Sequence, residues 1–159
     1  RQLIRAGQRA DGDTIALVGQ RPYVGLKLMH MAEDAAGKHE GEQELELDPQ
    51  MMKNIFINLI SNAIKFSEEN KTITIQTGIQ SNQALITIAD EGMGIPREEQ
   101  EHMFERFYRA KNVTNIQGTG LGLNIVSKYL EAMNGTIEFE SELNKGTTFR
   151  ISIPLQHQT

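Results

Sequence analysis

Two pairs of β-rich runs, each closed by a short polar turn, constrain this chain more than any other feature. Thr72, Ile73, Thr74, Ile75 and Thr77 form one run and Ala84 to Ala89 the next, with Ser81-Asn82 between them. Thr136–Ser141 and Thr147–Pro154 flank a second turn at Asn144-Lys145-Gly146. Connections this short join antiparallel neighbours, because a parallel pair needs a crossover of about a dozen residues. Leu45 and Leu47 alternate with acids as in one more short strand.

Between the strands the period changes to that of helices. Asp48-Pro49 supplies a cap and a proline at the first helical position, opening a helix from about Pro49 to Phe66. A short helix is expected near Arg97–Glu105, and another from about Gly120 to Met133, stopped by Asn134-Gly135. The predicted fold is α+β: a two-layer sandwich with a mixed, mostly antiparallel sheet of about five strands covered on one face by three helices.

Residues 1–44 are the least regular part. Glycines at positions 7, 12, 19, 25, 37 and 41 interrupt any period, leaving one helix expected over about Pro22 to Ala36 and Arg1 to Arg9 as the tail of an earlier helix. The chain starts without Met and so reads as a fragment, its 159 residues suiting one domain. The absence of cysteine excludes disulfides, thiolate metal sites and cysteine nucleophiles. With 16 Lys plus Arg against 21 Asp plus Glu, the net charge of −5 disfavours a general nucleic-acid binder. A local group of donors can still hold a small anion. No apolar run is long enough to span a bilayer, and the first residues lack the core of a secretion signal.

Three polar features stand out. At 100° per residue, with Ile55 as origin, Met52, Phe56, Leu59, Ala63 and Phe66 fall between about 20° and 100°, the stripe that packs on a sheet. Asn58, Asn62 and Lys65 fall at about 300°, 340° and 280°, a second stripe at its border. Amide oxygens can ligate a hard cation and a lysine can meet phosphate, although such a flank by itself also suits plain solvation. Asp90-Glu91-Gly92-Met93-Gly94 follows a strand, so an acid at the strand tip and alternate glycines would let backbone approach a flat ligand; alone, it is also an ordinary turn. Gly118-Thr119-Gly120-Leu121-Gly122-Leu123 leads straight into the apolar period of Leu123, Val126, Leu130 and Met133. Glycine-rich backbone at a helix start is a ready anion site, here without the spacing of a Walker loop or the strand a dinucleotide fingerprint needs. Taken alone, it is equally a hinge. Between the loops, Phe104 and Phe107 can anchor a segment while Arg106 and Arg109 reach toward solvent or phosphate.

The order of these motifs carries a resemblance. Asn58 to Phe66, Asp90 to Ile95, Phe104 to Arg109, Gly118 to Leu123 and Gly146-Thr147-Thr148-Phe149 resemble, in sequence, the N box, first glycine box, F box, second glycine box and closing Gly-Thr strand of the catalytic, ATP-binding domain of bacterial sensor histidine kinases. The likeness covers residues 45–155, leaving 1–44 as a poorly matched segment (a remnant of a dimerisation helix with a first strand and helix) and 156–159 as a tail. It implies the Bergerat fold of the GHKL superfamily, with ATP and Mg²⁺ as ligands.

The resemblance also implies roles. Asn62, helped by Asn58, would hold Mg²⁺, and Lys65 would meet phosphate. Asp90 would bind the adenine amine in a pocket shaped by Gly92, Gly94 and Ile95, with Phe66 beside the base and Thr148 in water-mediated contact. Gly118, Thr119, Gly120, Leu121, Gly122 and Leu123 would line the triphosphate at the edge of an ATP lid over about Ala110–Thr119, and Phe107 and Arg109 would complete the site. No catalytic residue is assigned within the fragment itself. None of His30, His39, His102 and His157 begins the family's His-Glu-x-x-Thr-Pro run. The implied acceptor is therefore a histidine on a separate dimerisation and phosphotransfer domain, from which phosphate would pass to a response regulator receiver domain. The implied location is cytoplasmic, whether or not the whole protein is anchored to a membrane, and the implied state in isolation is a monomer. The alternative function is a non-catalytic ATP- or ADP-sensing interaction module of the same fold.

Overall fold

The computed structural model describes residues 5–9, 12–18, 48–113 and 115–154. Asp48 caps the first described helix, α1 (Pro49–Lys65), its carboxylate accepting from the N–H groups of Gln50 at 2.8 Å and Met51 at 3.1 Å. That satisfies two of the donors a helix start leaves open, and Pro49 has none to satisfy. Met52, Ile55, Phe56, Leu59, Ile60 and Ala63 are buried along one face. Phe66 ends the helix half-exposed, outside the stripe the sequence assigned it to.

Among the described residues the sheet has six strands in the order β1-β2-β3-β4-β6-β5, every pairing antiparallel. They are β1 (Arg5–Arg9), β2 (Gly12–Val18), β3 (Thr72–Gln80), β4 (Gln83–Asp90), β5 (Thr136–Glu142) and β6 (Gly146–Pro154). Both expected hairpins are present. Ser81 and Asn82, with φ of 51° and 62°, make the tight turn whose twist matches its strands. The strand at Arg5–Arg9 replaces the expected helix tail: its residues gain order from pairing with β2, not from a pattern of their own. The helix expected over Pro22–Ala36 and the strand at Leu45 and Leu47 lie outside the described residues, as does the 156–159 tail.

Helix α2 (Gly122–Ala132) packs beside α1, and the hydroxyl of Tyr129 on α2 accepts from Asn54 Nδ2 on α1 at 3.3 Å. It stops where expected, with Asn134 at φ 55° and the Gly135 N–H returning to the Leu130 carbonyl at 2.7 Å. The expected helix near Arg97–Glu105 is instead a 3₁₀ turn over Arg97–His102, and a second 3₁₀ turn covers Lys111–Val113.

Leu123, Val126 and Leu130 of α2 join α1, Ile73 and Ile75 of β3, Ala84, Ile86 and Ile88 of β4, and Phe149, Ile151 and Ile153 of β6 in one core. Each such fully buried aliphatic side chain contributes about 1.5–3 kcal/mol. Strand alternation turns the intervening positions, among them Glu138, Glu140 and Arg150, to the other face, where Arg150 pairs with Glu140 at 3.0 Å. The described helices thus cover one face of the sheet, as the two-layer reading requires. No helix of the described residues is long and apolar enough to cross a membrane.

Candidate functional site

Register carries Asp90 to the helix-covered face. On β4 it follows Ala84, Ile86 and Ile88 at the inward parity, and across the ladder it stands between Ile73 of β3 and Thr147 of β6. A carboxylate at the end of an apolar row loses water, so burial pushes its pKa above the ordinary value; the N–H groups of Gly92 and Thr147 draw it part of the way back. The Gly92 N–H donates to Asp90 Oδ1 at 2.9 Å. A Cβ on Gly92 would lie 2.6 Å from the Phe66 carbonyl oxygen and 2.7 Å from Asp90 Oδ1, so only glycine lets the loop close over the acid. Met93 N–H donates to that Phe66 carbonyl at 3.0 Å, joining the end of α1 to the loop. Gly94 adopts φ 65° against the Glu142 carbonyl, and Ile95, 9% exposed, donates its N–H to Ser141 Oγ at 2.8 Å.

The same register corrects one expected contact. Thr148 lies opposite Ala89, at the parity that faces away from the helices. Thr147 lies opposite Asp90, buried, with its hydroxyl 2.8 Å from Ser141 Oγ. A side-chain period of two separates the neighbours, so Thr147 is the hydroxyl in the Asp90 row. The parity of the inward residues Phe149, Ile151 and Ile153 already contained that signal.

The second cluster forms where α1 meets the start of α2. Asn58 donates from Nδ2 to the Asn54 carbonyl at 2.8 Å, which leaves its amide oxygen toward Gly122. A Cβ on Gly122 would lie 3.0 Å from Asn58 Oδ1 and 3.7 Å from Asn62 Nδ2. Asn58, Asn62 and the head of the second glycine loop are therefore side by side. One turn on, Lys65 Nζ occupies the space that a side chain on Gly118 would need, with Arg109 Nε 4.0 Å from the same point. Burial and then the Arg109 charge hold the Lys65 pKa below its ordinary value. Its ammonium also lies 5.1 Å from the centre of the Phe66 ring. Neither cation has a carboxylate partner among the described residues.

The remaining expected site residues take part in different ways. Arg109, besides standing near Gly118, gives its guanidinium to the carbonyls of Val113, at 2.9 Å, and Ile116, so it also binds the 110–119 segment. Phe107 is 65% exposed at φ 63°, its ring 5.3 Å from the Arg106 guanidinium; only its main chain reaches the glycine loop, donating to the Gly120 carbonyl at 2.9 Å. The aromatic that anchors this segment is Phe104, stacked edge-on to Phe139 at 5.8 Å. Gly120 needs its φ of 70°, and a Cβ there would lie 2.6 Å from the Phe107 carbonyl carbon. Leu123 belongs to the core; Leu121 is half-buried and Thr119 exposed.

Among the described residues no group of three or more His, Cys, Asp or Glu could hold a metal ion unaided. The site therefore offers a buried acid beside a glycine loop at one end, and two amides with two cations beside another glycine loop at the other.

Comparison with known proteins agrees with the fold. The family model described as histidine kinase-, DNA gyrase B- and HSP90-like ATPase matches residues 47–157. The signal transduction histidine-protein kinase ArlS of Staphylococcus aureus strain USA300 is 43% identical over 110 residues, which are 68% of this chain and 24% of that protein. The chain thus spans about a quarter of the length of the curated relatives it matches. The solved catalytic domain of histidine kinase ThkA superposes with a TM-score of 0.64 at 29% identity, covering 83% of this chain and 90% of the other. A mycobacterial sensor histidine kinase, MprB, shares the fold at a TM-score of 0.66 and 22% identity, over 84% of this chain and 97% of that one. The chain belongs to the histidine kinase-, DNA gyrase B- and HSP90-like ATPase family, and it has the fold of a histidine kinase catalytic domain.

Proposed function

We propose that this chain holds Mg-ATP and presents its γ-phosphoryl group to a histidine on a separate domain. The observation that carries the reading is the pair of cations, Lys65 and Arg109, gathered at Gly118 with no acid of the described residues to neutralise them. Two like charges beside exposed glycine backbone suit a polyanion. Asp90, when ionised, accepts from the exocyclic amine of adenine, and Thr147 supplies a second polar atom in its row.

The donor set also fits Mg²⁺. This ion takes few protein ligands and completes its shell with water and substrate phosphates. The amide oxygens of Asn58 and Asn62 would hold it, and it would supply charge neutralisation at the transferring phosphoryl group. Asn58 decides between hydrolysis and transfer. An amide has no basic lone pair near neutral pH, so it does not activate water. The residue instead keeps ATP intact until an imidazole nitrogen attacks: the bond from the γ-phosphorus to its bridging oxygen breaks, a nitrogen–phosphorus bond forms, and ADP leaves. The partners of this reading are a dimerisation and phosphotransfer domain carrying that histidine, then a receiver domain.

Calorimetric titration of the chain with ATP, with and without Mg²⁺, tests the reading, together with Asn62→Asp. Saturable binding that depends on Mg²⁺ and changes with the substitution supports it. Binding under neither condition overturns it. Acid-labile phosphate on an added histidine domain then separates transfer from mere nucleotide sensing.

A further inference from the structure

Glu99 is a carboxylate in a place where sequence gives no reason to expect one buried. It is 5% exposed, on the 3₁₀ turn Arg97–His102 and apart from both polar clusters. One of its oxygens, Oε2, takes two hydrogen bonds: from the Tyr108 hydroxyl at 3.1 Å and from the Lys111 backbone N–H at 2.7 Å. These donors bracket Arg109 and Ala110, and Ala110 is itself 2% exposed. A single buried acceptor therefore clamps the four residues 108–111 at both ends.

Beyond the clamp the chain is held in sequence. Asn112 Nδ2 donates to the Gly94 carbonyl at 3.0 Å, and Arg109 ties to the Val113 and Ile116 carbonyls. The Arg109 guanidinium so fixed is the one that approaches Gly118 beside Lys65. We infer that Glu99 is a positioning residue: it touches no ligand, and it sets the direction from which Arg109 and the start of the lid meet the phosphates. This rests on the nucleotide-binding reading above.

The physical argument is one of asymmetry. A hydrogen bond to a carboxylate is among the stronger neutral-donor bonds, and losing it leaves a part-buried backbone N–H and a part-buried phenol without their acceptor together. The bond from Lys111 needs only an acceptor oxygen, which glutamine also supplies. The effect of removal should reach the phosphate end of the site through Arg109 more than the adenine end, which is built on β4, β6 and the loop at Gly92 and meets this segment through the Asn112 bond to the Gly94 carbonyl, outside the clamp.

The test is NMR titration of the chain and its variants with Mg²⁺ plus the non-hydrolysable analogue AMPPNP, and separately with AMP. Glu99→Ala is expected to weaken AMPPNP by about tenfold or more, the scale of one charge-assisted contact, with AMP affinity held within about twofold. Glu99→Gln is expected to restore most of the AMPPNP affinity. Equal losses for AMPPNP and AMP, or no loss for either, would overturn the inference by showing a merely structural or idle residue. Should Glu99→Ala not fold, Tyr108→Phe carries the test: a loss of a few-fold for AMPPNP alone supports the clamp, and unchanged or parallel affinities refute it. Failure of the unsubstituted chain to bind either nucleotide would instead refute the reading on which the inference rests.

Discussion

Gly118→Ala should weaken ATP binding by acting on Lys65, not on the loop that carries the substitution. A Cβ at position 118 would fall on the Lys65 ammonium, while the Gly118 backbone has no positive φ to make alanine strained. The far end of a lysine can retreat, so folding should lose less than about 0.5 kcal/mol, as for other surface substitutions. The ammonium pays instead. Moving a charge from 4 Å to 5 Å from a phosphate costs about 0.8 kcal/mol at an effective dielectric of about 20, and a broken charge-assisted hydrogen bond costs about 1.5–3 kcal/mol. Gly118→Ala is thus expected to lose about 1–3 kcal/mol of AMPPNP binding, and Lys65→Ala about 1.5–3 kcal/mol, or roughly 10- to 140-fold. Because both act through one contact, the double variant should bind no worse than Lys65→Ala alone. Titration calorimetry on the four proteins closes the cycle, with melting temperatures as the control for folding. Losses that add to within about 0.5 kcal/mol would refute the reasoning, since independent sites behave that way.

Gly120→Ala should differ from Gly118→Ala in kind: its φ of 70° and the nearby Phe107 backbone make it costly to fold, by about 1–3 kcal/mol in a urea titration. Thr147→Val should cost about 0.5–1.5 kcal/mol of ATP affinity, and Thr148→Val nothing measurable by calorimetry; equal effects would contradict the parity of β6. The raised Asp90 pKa makes the folded chain hold a proton that the unfolded chain has released, so its contribution to stability falls as pH rises from the ordinary carboxylate value to the raised one. Thermal melts across that acidic range should show the slope, and Asp90→Asn should remove it. Over the same range ATP affinity should move the opposite way, rising with pH as the carboxylate ionises.

What the sequence made legible was local. The cap at Asp48, the proline after it, the turn at Ser81-Asn82 and the stop at Asn134-Gly135 each encode their geometry within a few residues, and each is found in the structure. So is the shared flank of Asn58, Asn62 and Lys65, which the helix period fixes; that the second glycine loop lies beside that flank is implied by the resemblance alone. The unread parts depend on partners distant in the chain. Arg5–Arg9 has no alternation and becomes a strand only because β2 lies beside it. The parity of Phe149, Ile151 and Ile153 favours Thr147 over Thr148, but that Thr147 faces Asp90 follows only from the register of β6 on β4. Phe107 looked like an anchor by composition, but its positive φ turns the ring outward while Phe104 takes the core contact. Glu99 sits among other acids in Arg97–His102, and nothing in that run marks which of them the fold encloses.

Strand β5 forms one edge of the sheet, and Glu138, Glu140 and Glu142 occupy its outward parity. A second β5 that added antiparallel to that edge in a register setting Phe139 opposite Phe139 would place Glu138 directly opposite Glu140. Among the described residues no strand pairs with that edge, and the charges beside its hydrogen-bonding groups guard it against fibril growth from that side.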